Sequence, residues 1–413
     1  MTRARCAAVS ALAALLVACG DDWSDPDGLG PAPIHPIPGC EHLDHRPCDV
    51  MTASCQERLM DVAACARGSD RAKVPPITRM TEPEFVDYLN DELAEQEPPP
   101  VPNHFEAALV MLNLTPPESL SGPTAVEDQA KAVAGVYRWE TKDIVLIEHE
   151  ESWEAPESSA LLVHELIHAL QDRDVDLRAF TEEHATSMDS GLAVDALVEG
   201  EARLHQTRYA ASAVGLDPAT VDWRKRFQGA VDLTVSALPE ASSRYLMGYG
   251  SFPYTWGARY AHLVFEGGGL DALLARYASP VLTGRAVMAS VSEPVPDEPT
   301  RAIGDPVPPV EWAPFTQTTL GALGVFLFAS HLTTDRTRPL ETALSWRNDR
   351  FLVYESTTTT GTALSWRIEL ATEADAARFA QSIPTTLPAR QTGTRVTLAI
   401  RNDLGPIEWA FAP

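Results

Sequence analysis

Two histidines and a glutamate in a short apolar stretch carry the clearest chemistry in the sequence. Residues 161–172 contain the pattern His164-Glu165-x-x-His168. Histidines four positions apart lie on one face of a helix, so both imidazoles can bind the same ion, and neutral imidazole nitrogens suit Zn²⁺. Glu165 is turned by about 100° from His164. It therefore flanks the ligand pair, where it can take a proton from a zinc-bound water and pass it to a leaving amine.

The residues around this pattern predict the element that must position it. Val163, Leu166, Ile167 and Leu170 have the i, i+3, i+4, i+7 spacing of an apolar helix face, which predicts a core-packed helix over about 157–172. An ordinary buried helix with hydrogen-bonded histidines is the alternative. It is disfavoured because burying an ionisable glutamate between the histidines without a partner is unfavourable.

A catalytic zinc site also needs a third protein ligand, with the fourth position left for water. The metzincin arrangement would require glycine at 171 and histidine at 174, where this chain has Gln171 and Asp174. That arrangement is therefore excluded. The next candidate carboxylates lie on a second predicted helix, over about 182–210, which must place one of them against the histidines.

The segment 197–202, Leu-Val-Glu-Gly-Glu-Ala, resembles the second ligand helix of the gluzincins, the clan of thermolysin-like and aminopeptidase-like zinc peptidases. The resemblance implies that Glu199 is the third ligand, with Glu201 as the alternative, although either could be a solvated surface carboxylate. Gly200 lies inside this helix, where glycine costs about 1 kcal/mol relative to alanine. We therefore expect the histidine helix to approach closely at Gly200.

Further motifs indicate which group of gluzincins the chain resembles. Gly135-Val136-Tyr137, the histidine pattern continued as Ala-Leu-Gln-Asp, and the segment 197–202 together resemble a group of bacterial secreted or membrane-anchored gluzincins. The resemblance covers about residues 75–290 and implies a zincin-like metallopeptidase fold with a peptide or protein substrate. The chain departs from the group at Arg173, where glutamine is usual, and at 283–290, where the group carries Thr-Glu-Gln and His-Pro segments.

Supporting residues are also expected around such a site. Asp172 and Asp195 are the nearest candidates to accept the second N–H of a zinc-bound histidine, although either could be a surface charge. A donor that stabilises the oxyanion is expected as well. The block Phe-Pro-Tyr-Thr-Trp-Gly at 252–257 resembles one in the same group and favours Tyr254 as that donor. The alternatives are Tyr249, Tyr245 and His262, and each of the four could instead be a packed side chain.

A β-hairpin is predicted ahead of the histidine helix, formed by residues 135–139 and 143–147 with a turn near 140–142. In zincins, an edge strand beside the active-site helix pairs with an extended substrate. The resemblance gives that place to residues 143–147, with an ordinary interior strand as the alternative.

The N-terminus predicts export. Arg3 and Arg5 precede an apolar run that is too short to span a bilayer as a stable helix, which is typical of a signal peptide over residues 1–18. The run ends in Leu-Val-Ala-Cys19-Gly, which resembles the bacterial lipobox. The resemblance implies that Cys19 becomes the new N-terminus and carries a lipid that anchors the protein to a membrane. A plain signal peptide is the alternative.

Four further cysteines follow within a short segment: Cys40, Cys48, Cys55 and Cys65. In an exported protein this pattern predicts two disulfides, with three possible connectivities. A metal cluster is the alternative, but the spacings differ from the close cysteine pairs of zinc sites.

Composition shifts divide the chain into predicted regions. After the signal peptide we expect a lipidated tether at 19–39, a disulfide segment at 40–73, the zincin-like domain at 74–292, a proline-rich linker at 293–314 and a small α+β domain at 315–413. The fold class is therefore α+β.

The net charge of −26 and the absence of basic clusters exclude a nucleic-acid partner. The sequence thus predicts a lipid-anchored zinc metallopeptidase. A non-catalytic zinc-binding lipoprotein and a zinc hydrolase of cell-wall amide bonds are the alternatives.

Overall fold

The computed structural model describes residues 34–95, 103–122, 124–148, 153–304, 308, 311–333 and 337–402. The predicted signal peptide and Cys19 lie outside these residues. Within the described part of the chain, no helix is both long enough and apolar enough to cross a bilayer.

Over the described residues the fold is α+β, with helices throughout and two separate sheets. The helices are α1 (Ala53–Arg67), α2 (Glu82–Glu95), α3 (His104–Met111), α4 (Ala125–Ala132), α5 (Pro156–Val175), α6 (Leu177–His184), α7 (Met188–Ala213), α8 (Trp223–Ala237), α9 (Arg244–Phe252), α10 (Ala258–Ala278), α11 (Gly284–Ala289), α12 (Gly321–Leu332), α13 (Thr337–Leu344) and α14 (Glu373–Ser382). The strands are β1 (Ile77–Thr81), β2 (Gly135–Arg138), β3 (Asp143–Glu148), β4 (Trp312–Thr318), β5 (Trp346–Ser356), β6 (Thr362–Leu370), β7 (Ala389–Thr392) and β8 (Arg395–Arg401).

The first sheet has the strand order β1-β3-β2. The predicted hairpin is present, since β2 and β3 pair antiparallel with Gly135 opposite Leu146. The prediction that residues 143–147 form the edge strand is wrong, because β1 adds in parallel on the far side of β3. Four consecutive buried residues in β3, from Ile144 to Ile147, fit this central position, and β2 is the edge strand beside α5.

Helices α5 and α7 pack against each other and carry the residues of interest. Helix α5 starts with Pro156 in its first turn, where the missing N–H removes no helical bond, and ends at Asp176 in the left-handed conformation. Helix α7 starts later than predicted because α6 forms a separate helix. A capping box between Ser187 and Ser190 fixes the new start.

Two disulfides join the four cysteines, as predicted, and the connectivity is Cys40–Cys65 and Cys48–Cys55. Helix α1 contains Cys55 and Cys65, one from each disulfide, and packs directly on α5. Leu59 and Met60 of α1 share one buried cluster with Val163 and Leu166 of α5. The disulfide segment is thus packed against the helix that carries the histidines.

The C-terminal part contains a five-stranded antiparallel sheet with the order β4-β5-β6-β8-β7. Helices α12 and α14 cover this sheet, and α12 also contacts α7, α9 and α11. One continuous buried cluster runs from α7 through α12 into β5 and β6. The structure therefore joins the two halves of the chain through apolar packing, and the domain boundaries given above stay predictions.

Candidate metal centre

His164 and His168 on α5 and Glu199 on α7 meet at the crossing of the two helices. The Nε2 atoms of the histidines are 3.0 Å apart, and Glu199 Oε2 lies 3.1 Å from His164 Nε2 and 3.3 Å from His168 Nε2. All three are potential metal ligands that converge on one point. The sequence prediction had placed these three residues together, and the structure brings them together.

The separations fit a small divalent cation. Tetrahedral ligands at 2.0–2.1 Å from zinc lie roughly 3.3 Å from one another, close to the observed spacing. Two nitrogens and one carboxylate oxygen are also a donor set that zinc accepts, and three protein ligands leave a fourth position open. The residues present therefore fit zinc.

Glutamine side chains hold the outer nitrogens of both rings. His168 Nδ1 lies 2.8 Å from Gln171 Oε1, and His164 Nδ1 lies 3.2 Å from Gln206 Oε1. An amide oxygen can only accept, so each Nδ1 carries the proton and each Nε2 is left with a lone pair. Two lone pairs 3.0 Å apart repel each other unless a cation or a proton lies between them.

The prediction that Asp172 or Asp195 orients a histidine is wrong. Asp172 Oδ2 instead accepts from the Tyr137 hydroxyl at 2.6 Å and from Lys142 Nζ at 2.5 Å, which joins α5 to the hairpin. Among the described residues, neither aspartate bonds to a histidine ring of the site. Loss of solvation and the nearby charge of Glu199 raise the pKa of Asp195 to about 7.

Glu201 is the alternative ligand that the structure places elsewhere. Its side chain is fully buried and forms an ion pair with Arg67, with Glu201 Oε1 2.7 Å from Arg67 Nε. Gln171 and Tyr277 donate to its other oxygen. Glu199 is therefore the carboxylate that faces the histidines.

Charge complementarity holds Glu199 ionised. Burial opposes its ionisation, but the facing charges and hydrogen bonds of His168 and His164 keep the pKa of Glu199 below its ordinary value. Burial likewise opposes a charge on His168, and Glu199 overrides it, raising the pKa of His168 to about 9.

Glu165 lies on the other side of His164, against the edge strand β2. Only 3% of its surface is exposed. Burial raises its pKa, while the two imidazoles and a backbone hydrogen bond from Tyr137 act in the opposite direction. A Cβ atom at Gly135 would lie 3.2 Å from Glu165 Oε1, so the glycine leaves room for this carboxylate.

Tyr254 reaches the site from a π-helical turn, Pro253–Gly257, between α9 and α10. Its ring stacks on His164 with 6.1 Å between centroids, and Glu199 acts electrostatically on its hydroxyl. Burial and the charges of Glu199 and Glu165 raise its pKa well above the ordinary value, so the hydroxyl stays protonated. Such π-turns are frequent at functional sites.

The other three candidate donors lie elsewhere. The Tyr249 hydroxyl donates to Leu320 O, the Tyr245 ring packs at a tilt against Tyr249, and His262 packs against Phe227.

Gly200 allows a close approach, but to a different element from the one expected. A Cβ atom at Gly200 would lie 2.4 Å from the carbonyl carbon of Gly257, and one at Gly257 would lie 2.5 Å from Ala196 O. The two glycines therefore bring α7 directly against the turn that carries Tyr254. This contact sets the distance between Tyr254 and Glu199.

Comparison with known proteins finds a family match only for the C-terminal part of the chain. Residues 313–411 match a family described as a domain of unknown function, DUF8575. The match includes none of the residues of the metal centre. No curated protein and no solved structure matches the chain.

Gln171 and Gln206 are the site residues that sequence reasoning missed. Gln171 is fully buried on α5 between Leu170 and Asp172, and a buried amide needs partners. Its position three residues after His168 was an available signal. Gln206 carries no comparable signal, because its place is set by the crossing of α5 and α7.

Proposed function

We propose that this protein is a zinc-dependent peptidase whose metal is held by His164, His168 and Glu199. The observation that supports this most directly is the convergence of three ligand atoms within 3.3 Å, beside a buried glutamate that ligates nothing. A site built only to hold zinc has no use for that additional carboxylate. Its burial is unfavourable and needs a compensating role.

When bound, zinc lowers the pKa of a water molecule toward ~7 and polarises a carbonyl group. Glu165 would accept a proton from a water molecule at the site as the water adds to the carbonyl carbon. It would then deliver the proton to the nitrogen as the carbon–nitrogen bond breaks, which would leave a free acid and an amine. Burial raises the pKa of Glu165 above its ordinary value, the direction expected for a carboxylate that must accept a proton.

Two further elements serve the same reaction. The Tyr254 hydroxyl, protonated and beside Glu199, is placed to donate to the oxygen on which negative charge develops. Glu165 lies against the edge strand β2, so an extended peptide added to this edge would run close to the carboxylate.

The proposed location is outside the cytoplasm. Two disulfides indicate an oxidising compartment. A lipid on Cys19 would hold the protein at a membrane surface, which is part of the proposal. Peptides or proteins outside the cytoplasm are then the substrates.

The experiment compares wild type with Glu165→Gln and with Glu157→Gln. Glu157 is an exposed residue on the same helix, so its variant receives the same substitution away from the site. We expect one zinc per chain in all three proteins. Cleavage of a peptide library should fall by about 10²–10⁴ in Glu165→Gln only.

Each other outcome points to an alternative. Undiminished turnover in Glu165→Gln would overturn the role of the glutamate. Zinc binding without cleavage of any peptide would favour a non-catalytic metal protein. Cleavage restricted to cell-wall fragments would favour an amidase with the same residues.

A further inference from the structure

A buried chain of polar residues connects the disulfide segment to the metal centre. Arg67 on α1 pairs with Glu201 on α7, Glu201 accepts from Gln171 on α5, and Gln171 accepts from His168. We propose that Arg67, Glu201 and Gln171 are positioning residues that set the tautomer of His168. The inference rests on the metal centre proposed above, but not on the reaction that the centre performs.

The orientation of the Gln171 amide is fixed by what surrounds its nitrogen. Gln171 Nε2 lies 2.9 Å from Val198 O and 2.9 Å from Glu201 Oε2. A carbonyl and an ionised carboxylate accept and cannot donate, so they require the amide nitrogen on their side. The amide oxygen must therefore face His168, whose Nδ1 is 2.8 Å away. As a result, Nδ1 of His168 carries the proton and Nε2 offers its lone pair to the metal.

Glu201 accepts hydrogen bonds at both of its oxygens. Its side chain is fully buried, as is that of Arg67, whose Nε donates to Oε1 at 2.7 Å. The Tyr277 hydroxyl donates to Oε2 at 2.7 Å, the oxygen that also accepts from Gln171. Because arginine can only donate, the ion pair holds the carboxylate as the acceptor that the Gln171 amide nitrogen faces.

An amide at position 201 would remove one of the two acceptors, Glu201 and Val198 O, of the Gln171 amide nitrogen. With its oxygen turned to Arg67, which can only donate, its NH₂ group would face Gln171 Nε2, and Val198 O alone would favour the present orientation. An amide there could donate to Gln171 Oε1, and the Gln171 side chain could then rotate by half a turn. Its NH₂ group would face His168 Nδ1 and would require an acceptor there. The ring proton would move to Nε2, which is the atom that ligates zinc.

His164 is oriented by a similar but shorter chain of hydrogen bonds. Gln206 Oε1 accepts from Arg203 Nη1 at 3.0 Å as well as from His164. Since arginine can only donate, the oxygen of Gln206 is fixed toward His164. Each ligand histidine is thus oriented by an amide that a charged group orients in turn.

The residue at the start of the longer chain comes from the disulfide segment. Arg67 is the last residue of α1, two positions after Cys65, which is joined to Cys40. The segment ahead of the zincin-like region therefore contributes to the metal centre through Arg67. Its role goes beyond packing on α5.

The experiment measures zinc affinity of the full chain by competition with a chelator. We expect Glu201→Gln to bind zinc 10–100-fold more weakly, the usual range for residues that orient a ligand. Tyr277→Phe is the matched control. It removes the hydroxyl that contacts Glu201 and Gln171 but keeps the Arg67–Glu201 ion pair and the acceptors Glu201 and Val198 O of the Gln171 amide, so its affinity should change by less than tenfold.

A spectroscopic measurement distinguishes a change in the tautomer of His168 from a general destabilisation of the site. Long-range ¹H–¹⁵N spectra of histidine-labelled, metal-free protein at alkaline pH report which nitrogen of His168 carries the proton. We expect Nδ1 in wild type and in Tyr277→Phe, and Nε2 in Glu201→Gln. If Glu201→Gln does not fold, Gln171→Leu tests the same step with the ion pair of Glu201 intact, and its zinc affinity should fall by at least tenfold.

The outcomes distinguish this proposal from the one on which it rests. A wild type that binds no zinc would overturn the metal centre itself. A wild type that binds zinc, with unchanged affinity and tautomer in Glu201→Gln, would overturn the positioning chain alone. Equal losses of affinity in Tyr277→Phe and Glu201→Gln would also overturn it, because destabilisation would then explain both.

Discussion

Glu199 and Glu201 lie two residues apart on α7 and have opposite surroundings. Glu199 faces two imidazoles, whereas Glu201 faces the guanidinium of Arg67 in a fully buried ion pair. Residues two apart on a helix point about 200° apart around the axis, so one helix can serve the metal with one carboxylate and the interior with the other. The five predictions that follow test this arrangement and its supports.

Removal of the carboxylate that faces the histidines should abolish tight metal binding. We expect Glu199→Gln to lose more than the 10–100-fold in zinc affinity that is typical of residues behind the ligands, because it removes a ligand itself. Equilibrium dialysis with zinc measures this. Retention of wild-type affinity would mean that another group completes the site.

Tyr254 should act on the transition state more than on binding. Tyr254→Phe keeps the ring that stacks on His164 and removes only the hydroxyl. We expect kcat on the best library peptide to fall by about 10²–10³ with little change in KM and in zinc content. A change confined to KM would instead assign the hydroxyl to substrate binding.

The contact between α7 and the π-turn should not tolerate a methyl group. In Gly257→Ala the new Cβ would meet the backbone of Ala196, and such overpacking costs about 1–3 kcal/mol. We expect a lower urea midpoint together with lower activity, because Tyr254 moves with the turn. Gly229→Ala on α8 is the matched control, since no atom lies within 4 Å of its Cβ position. That variant should keep or slightly raise the stability.

The raised pKa of Asp195 predicts a pH dependence of stability with a definite sign. Folding holds a proton on this carboxyl up to a pKa of about 7, whereas the unfolded chain releases it near the ordinary value. The metal-free wild type should therefore lose stability relative to Asp195→Asn as the pH rises from 4 to 7, and the difference should level off above 7. Urea midpoints of both proteins at several pH values measure this. A constant difference would show that Asp195 titrates normally.

The disulfide nearest Arg67 should affect both stability and metal binding. Replacing Cys40 and Cys65 by serine opens a loop of 25 residues and should cost roughly 3 kcal/mol of unfolding free energy. Zinc affinity should fall as well, because the end of α1 is less firmly held. Replacing Cys48 and Cys55 opens a loop of only 7 residues, should cost roughly 2 kcal/mol, and should leave zinc affinity nearly unchanged.

Local spacing was enough to predict the core of the site. His164, Glu165 and His168 belong to one helix, so the periodicity of that helix alone places them. The hairpin was predicted on the same basis, since its strands are adjacent in the chain. Glu199 required the resemblance as well as the pattern, because a carboxylate on a second helix is placed by tertiary packing.

Features that depend on long-range packing could not be predicted from the sequence. The central position of β3 depends on β1, which pairs from a distant part of the chain. Asp172 was predicted to support a histidine, but Tyr137 and Lys142 of the hairpin bind it instead. The partner of Gly200 was likewise misassigned to α5, because the π-turn that contacts it has no simple sequence periodicity.

The pair Gly200 and Gly257 also constrains how this protein can diverge. Neither position accepts a side chain unless the two backbones separate, and their separation would carry Tyr254 away from Glu199. Homologues that keep the chemistry should therefore have glycine at both positions. Once one glycine is replaced and the backbones separate, replacing the other should cost no additional stability, so the residues at 200 and 257 should covary in an alignment of homologues.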